Sequence, residues 1–365
     1  TSFPSIIHRG SLADSKVGGF QSNPCDWRYS YLSRIHDMSA AMYFTKGHSS
    51  LIHRTFLLKI MHILNSRIVS ANNMSNQEIE VVILGTAQDG GIPQAGCSCN
   101  NCISAHNDSK LKRNPVCCGI KGVDGSFHLI EAGRRLSEQL KLWSEKMNMD
   151  NIKKPETVSI THLHLGHIDG LGQFGKEVMN FNDLPLFTSK KNVEILEKRK
   201  SVSAFKCKII KSGKRFSPSV GCGFKLEFIR VPHRDEEGDT HAILIHGPNK
   251  SLLFLPDHDY WEETLGQHNK KTIREWFSDM GINYALVDGT FWNSQELSDR
   301  EMEKIPHPTI SETIKMLGKR DMNDPEILFF HLNHSNPVTN TDSKEKQIVE
   351  GLGWQIAKDG QVFTL

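Results

Sequence analysis

The stretch Ser159-Ile160-Thr161-His162-Leu163-His164-Leu165-Gly166-His167-Ile168-Asp169-Gly170-Leu171 gathers three imidazoles at the end of a strand-like run and the start of a helix-like one. His162 and His164 are two apart, so in extended backbone their side chains project to the same side. His167 follows a glycine-containing turn and is expected to open a helix running through Leu171 and Phe174. Neutral imidazole is the commonest side-chain ligand of zinc and iron, and catalytic sites take several of them while leaving a position free for water. The strand-to-helix setting separates such a motif from a chance surface cluster of histidines.

Working outward, apolar strand-like runs recur from Glu78 onward: Ile79 to Leu84, Phe127 to Ile130, Thr157 to Thr161, Leu184 to Thr188, Lys225 to Val231, Ala242 to His246, Leu252 to Leu255, Tyr284 to Val287 and Ile327 to His331. Helix-like runs alternate with them at Arg134 to Lys146, Gly170 to Met179, Val193 to Lys200, Thr272 to Met280, Thr309 to Leu317 and Ser343 to Gly351. The pattern is mixed α/β without a clear linker. Three strand ends besides the histidine triplet carry metal-competent groups: His233 after Val231, Asp257-His258-Asp259 after Leu255, and His331 with His334 after Phe330. Strand ends are where α/β proteins place their sites.

The chain of 365 residues has a net charge of +2, which gives no reason to expect a nucleic-acid partner, and an apolar fraction of 38%. No segment approaches the ~20 uninterrupted apolar residues that span a bilayer, so no membrane association is expected. Residues 1–77 hold eight Lys/Arg against three Asp/Glu and show little periodicity. They read either as a basic targeting or processed leader or as a disordered extension, distinct from the body at 78–365. Cys97, Cys99 and Cys102 cluster, as do Cys117 and Cys118, whereas Cys25, Cys207 and Cys222 stand alone. Such clustering favours metal binding in a reducing compartment over a disulfide framework. A cytoplasmic location is expected, with organelle targeting or export through the basic extension as the alternative.

The order His-x-His-x-x-His, a lone His, a strand-end Asp and a final His resembles the metallo-β-lactamase superfamily, which implies a four-layer αββα sandwich with one or two metals at the strand ends. The stretches Leu84 to Gln94, Cys97-x-Cys99-x-x-Cys102, Asp288 to Trp292 and His331 to Pro337 resemble the family of pyrroloquinoline-quinone (PQQ) biosynthesis protein B, PqqB. The resemblance implies that His162, His164 and His233 hold a first metal, that His167 and His331 hold a second, and that Asp257 bridges them. It also implies an Asp immediately before the third histidine, where this chain has Gly166, so a weaker second position is expected.

Such a site hydrolyses bonds with metal-activated water, whose pKa falls from ~16 to near ~7. Asp257 would orient that water, and His258 with Asp259 would serve as supporting partners, as proton carriers or as a polar loop. Asp169 reads as a helix cap. Asp89, Gly90, Gly91, Asp288, Phe291 and Trp292 are candidates for a pocket wall around a small-molecule substrate, or for a tight turn and a core pair. A related phosphodiesterase branch implies His334 as fourth ligand of a structural zinc on Cys97, Cys99 and Cys102. The expected activity is metal-dependent hydrolysis of an ester, amide or phosphodiester with zinc as cofactor. The alternatives are an iron-dependent oxidation, which the PqqB resemblance implies and these donors would also accommodate, and a carrier role in quinone-cofactor synthesis.

Overall fold

The protein is described by a computed structural model covering residues 78–297 and 305–365. The extension assigned to residues 1–77 lies outside the described residues. Strands β1 (Glu80–Gly85), β2 (Cys117–Lys121), β3 (Phe127–Ile130), β4 (Thr157–Ser159), β5 (Leu184–Thr188), β6 (Phe205–Ile209) and β14 (Val362–Thr364) form one seven-stranded sheet in the order β14-β1-β2-β3-β4-β5-β6. The second holds β7 (Arg215–Phe216), β8 (Lys225–Arg230), β9 (His241–His246), β10 (Ser251–Leu255), β11 (Tyr284–Asp288), β12 (Glu326–Phe330) and β13 (Gln355–Ile356), in the order β13-β12-β11-β10-β9-β8-β7.

Both faces of the central strands are apolar, and the two-residue period of a strand sends alternate side chains to different layers. Val81 and Ile83 of β1 meet Phe254, Leu286 and Phe330 of the opposite sheet in the inner core. Val82 and Leu84 turn outward onto Leu136, Leu140 and Trp143 of the helix Leu136–Lys146. On the far side, Leu253, Leu255 and Val287 pack under Trp261, Trp276, Phe277 and Ile314 from the helices Trp261–Gln267, Ile273–Met280 and Ile310–Leu317. The architecture is therefore helix, sheet, sheet, helix. Each fully buried aliphatic or aromatic side chain contributes ~1.5–3 kcal/mol, so this layering dominates the stability.

Helix starts follow side-chain chemistry. Thr272, Ser343 and Thr309 accept backbone N–H groups of Glu275, Lys346 and Glu312, the last within a full capping box, and each satisfies an otherwise orphaned donor. Two expectations are corrected. The run Gly170 to Met179 is not a helix but a single 3-10 turn, Leu171–Phe174, because Gly170, Gly172 and Gly175 disfavour continuation. His167 lies inside a separate four-residue helix, Leu165–Ile168, rather than opening a long one.

Strand directions fix where the site lies. β1 and β3 each pair antiparallel with β2, and β3 runs parallel to β4. In the other sheet β8 and β10 each pair antiparallel with β9, and β10, β11 and β12 are mutually parallel. Hence β1, β3 and β4 all end at one edge of their sheet, and β8, β10, β11 and β12 all end at one edge of theirs.

Two buried histidines that are not among the metal donors make the fold acid-sensitive. His128 bridges β3 and β4, its Nδ1 2.9 Å from Thr157 Oγ1 and its Nε2 2.7 Å from Ser126 Oγ. Burial pushes both His128 and His241 down to about 4. Their folded-state pKa lies below the unfolded ~6.5, so the unfolded chain binds more protons and stability present above pH ~6.5 is lost as pH falls toward 4. Chemical denaturation at pH 7 and pH 4.5 should show a decline of several kcal/mol, reduced by ~3 kcal/mol in His128→Gln.

Candidate metal centre

Every donor of the centre sits just beyond a converging strand end. His162, His164 and His167 follow β4, His233 follows β8, Asp257 follows β10, His331 follows β12 and Glu131 follows β3. Four of the non-glycine residues around this edge have positive φ: Asp89 at 31°, Glu131 at 68°, Arg234 at 38° and His331 at 57°. Such backbone persists only where surrounding contacts enforce it, and it gathers at functional sites.

The first position is built from four donors whose facing atoms all lie within 4.8 Å of one another: His162, His164, His233 and Asp257. His162 Nε2 and His233 Nε2 are 3.0 and 3.3 Å from His164 Nδ1, and 3.9 and 3.7 Å from the Asp257 oxygens. Donors arranged tetrahedrally at ~2.0–2.1 Å from a zinc ion stand ~3.3 Å apart, so these spacings fit one ion. The outer nitrogens are fixed from behind. His233 Nδ1 is 3.0 Å from Asp259 Oδ1 and His162 Nδ1 is 2.9 Å from Thr161 Oγ1, which turns each Nε2 inward. Burial holds His162 well below its ordinary pKa and His164 at about 3, so both stay neutral and able to ligate.

The second position gathers His167, Asp257 and His331. His167 Nε2 and His331 Nε2 lie 3.2 and 3.5 Å from Asp257 Oδ2. Behind His167, the buried Glu131 carboxylate stands 3.6 Å from Nδ1, and its other oxygen accepts the Thr161 N–H at 3.0 Å. Burial disfavours a charged His167, yet Asp257 and Glu131 outweigh it and lift the group to about 10, the signature of a place that attracts positive charge. Thr290 gives its hydroxyl proton to Asp288 Oδ1 at 2.7 Å, so it accepts from His331 Nδ1 at 2.9 Å and leaves His331 Nε2 as a free donor to a cation. His331 Nε2 and Asp257 Oδ2 are buried without a hydrogen-bond partner. Orphaned lone pairs of that kind suit a metal ion.

Beside these groups opens a cavity of about 510 Å³ whose wall includes Asp89, Arg134, Gly166, Arg234, Asp257 and His307. His307 Nδ1 lies 2.7 Å from Asp288 Oδ2, and Asp288 overcomes the effect of burial to raise it to about 9. The sequence reading missed His307 because it stands in the loop Ile305-Pro306-His307-Pro308, with no strand before it to flag it. Glu131 was also missed, although the strand-end rule that singled out Asp257 applies equally to it.

Other expected pocket residues lie elsewhere. Of Asp89, Gly90, Gly91, Asp288, Phe291 and Trp292, only Asp89 reaches this cavity wall. Asp288 and Phe291 are buried behind His307, and Trp292 packs against the outer helical core. The expectation of a catalytic His258 is corrected. Its ring is buried against Trp261 with centroids 4.4 Å apart, and Nδ1 lies 2.9 Å from Thr264 Oγ1, so it braces a helix and does not face the cavity. Asp169 pairs with Arg134 rather than with any metal donor.

A separate tetrad joins Cys97, Cys99, Cys102 and His334, with His334 Nδ1 3.3 and 3.5 Å from the sulfurs of Cys97 and Cys99. Cys102 lies in the first turn of the helix Asn100–Asn107. Burial raises Cys102 to about 12, whereas the Cys99 N–H overcomes burial and lowers Cys97. Three thiols and an imidazole at these spacings suit a closed tetrahedral zinc. Asn101 Nδ2 donates to His334 O at 2.9 Å, which ties the cysteine loop to the segment carrying His331.

Residues 128–361 match the β-lactamase superfamily domain. Coenzyme PQQ synthesis protein B of Rhodopseudomonas palustris (strain BisB5) is 24% identical over 316 residues, spanning 79% of this chain and 100% of that protein. The protein of the same name from Methylorubrum extorquens (strain PA1) is 23% identical over 310 residues, with the same coverage of each chain. Among solved structures, zinc-bound PqqB from Methylobacterium extorquens superposes with a TM-score of 0.62 at 20% identity, covering 78% of this chain and 100% of that one. A diphosphatase of the PhnP family gives 0.54 at 20% identity, covering 79% and 97%. These likenesses carry the fold.

Replacing Cys102 by serine should remove one zinc per chain and lower the thermal midpoint by on the order of 10 °C. Elemental analysis paired with calorimetry measures both, and an unchanged zinc content would remove the tetrad from the list of metal sites.

Proposed function

The chain belongs to the metallo-β-lactamase superfamily, and on that footing we propose that it is a metal-dependent hydrolase acting on an ester, amide or phosphodiester bond of a small substrate. One observation carries the reading: five imidazoles lie within 4 Å of the single carboxylate of Asp257, at the wall of an open cavity.

His162, His164, His233 and Asp257 would hold a zinc ion, which would supply an activated water and a Lewis acid for the bond under attack. The rest is the work of the chain. Burial opposes ionisation of Asp257, but His331, His167 and His162 hold it well below the usual carboxylate range, so it remains an acceptor able to orient water. His307, braced by Asp288 and charged at neutral pH, faces the cavity and is placed to protonate a departing group. Arg134 and Arg234 bring positive charge to the same wall and favour substrates bearing phosphate or carboxylate. Arg234 is held in left-handed backbone and paired with Glu236 at 3.2 Å, which limits where its guanidinium reaches.

The role in the names of the curated relatives, coenzyme PQQ synthesis, supports a second reading. In it the same donors hold iron for an oxidation, or the cavity carries a quinone precursor without turnover. Elemental analysis combined with a screen of phosphodiester, thioester and lactone substrates separates the readings. The hydrolase reading expects zinc in the purified protein, turnover of one class, loss of that turnover in Asp257→Ala, and a fall of ~10²–10⁴-fold in kcat with little change in KM for His307→Ala. Turnover undiminished in Asp257→Ala contradicts it, as does iron that alone supports activity.

A further inference from the structure

We propose that one flank of the sandwich docks an acidic, extended segment of another protein, which adds along the open edge of β6 and sets its carboxylates against the lysines around it. The flank is built from the helix Lys190–Lys198, β6 and β7, and it takes no part in the chemistry proposed for the cavity.

Residues 190–215 hold ten Lys/Arg against two Asp/Glu, whereas the rest of residues 78–365 holds 26 against 37. The small net charge of the chain therefore conceals a strongly basic strip on a negative body. All ten cations are exposed. Lys190 pairs with Glu194, Lys191 donates to the backbone oxygens of Asp235 and Gly238, and Arg215 pairs with Glu227. The other seven meet no carboxylate within ion-pair distance among the described residues. The fold itself thus leaves this concentration of like charge unbalanced. The chain passes from β6 into β7 through residues 210–214, and the rings of Phe187 in β5 and Phe216 in β7 stand 4.9 Å apart, so β7 closes over the same flank.

β6 is the last strand of its sheet among the described residues and has β5 on one side only. Leu184 donates its N–H to Ala204 O at 3.1 Å, and Ile210 donates to Thr188 O at 3.0 Å. Backbone direction alternates along a parallel ladder, so Lys206 and Lys208 also bond toward β5, and the N–H and C=O groups of Cys207 and Ile209 face outward. Such groups take an added strand. Phe205 and Cys207 turn their side chains onto the core beneath the helices Leu136–Lys146 and Lys190–Lys198, which leaves Lys206 and Lys208 exposed on the other face, where alternate acidic residues of an added strand would meet them. Lys206 and Lys208 alone would guard the edge against self-pairing, but eight of the ten cations lie off that strand. A nucleic-acid strand fits less well. Phe205 is buried and Phe216 packs against Phe187 and Phe228, so no ring is offered for base stacking. Eight of the ten cations are lysines, which lack the guanidinium fork suited to phosphate. A second copy of the flank and the basic residues 1–77 both carry the wrong sign.

The test is fluorescence anisotropy of labelled probes with the full chain at low and physiological salt, joined to amide exchange followed by NMR. A peptide alternating Glu and Thr should bind with an affinity that falls as salt rises, and its counterpart with Gln in place of Glu should not bind. Lys206→Glu with Lys208→Glu, and separately Lys198→Glu with Lys200→Glu, should each weaken the acidic peptide at least ~10-fold. Far-UV circular dichroism reports that each variant is folded. The bound peptide should slow exchange at the Cys207 and Ile209 amides and leave Lys206 and Lys208 as they were. Equal binding of the Gln peptide, affinity unchanged in both double variants, or unaltered exchange at Cys207 and Ile209 overturns the proposal. So does tighter binding of a thymidine oligonucleotide or of phosphatidylserine vesicles than of the acidic peptide.

Discussion

The carboxylate of Asp257 is the group on which the arrangement depends. It is buried and ionised, and an isolated ionised carboxylate in such surroundings costs several kcal/mol. That cost is offset by the charged His167 and His307, and by a cation that the neutral imidazoles would hold. His162, His167, His233, His307 and His331 surround it at 3.2 to 3.9 Å. None of these is a neighbour of Asp257 in sequence, so both sheets must bring their strand ends to one edge before the charge can be balanced. The parallel relation of β10, β11 and β12, and of β3 and β4, performs that delivery.

A second tier of polar groups then decides what each imidazole does. Asp259 stands behind His233 and Glu131 behind His167, so each ring presents Nε2 to its own metal position. Thr290 does the same for His331. Asp288 contacts His307 directly and reaches His331 through Thr290, and His307 has no place among the ligands of the first position, so its proton is placed for chemistry in the cavity. The same residue type thus acts as ligand or as acid according to the partner behind it. The strained backbone at Glu131, His331, Asp89 and Arg234 is the local cost of aiming these side chains.

Much of this was legible in the sequence because period-two apolar runs announce strands, and polar residues at their ends announce a site. β3 and β5 lie at the boundaries read from composition alone, and the helix starts at Thr272, Thr309 and Ser343 coincide with residues that cap. The structure brings together the triplet with His233, Asp257 and His331, and the three cysteines with His334. Less legible were features that arise from packing between distant segments. His307 follows no apolar run, His258 looks like a flanking catalytic group until Trp261 is seen against it, and the crowding of Asp89 against Gly166 exists only in space. The helix expected from Gly170 shows the limit of apolar spacing, since Leu171 and Phe174 are buried by a 3-10 turn as effectively as by a helix.

Anomalous diffraction from crystals of the zinc-loaded protein, recorded on either side of the zinc edge, tests the central claim most directly. The account predicts a peak enclosed by His162 Nε2, His164 Nδ1, His233 Nε2 and Asp257, distinct from the peak at the cysteine tetrad. A map with zinc at the cysteines and no peak among those imidazoles would contradict it.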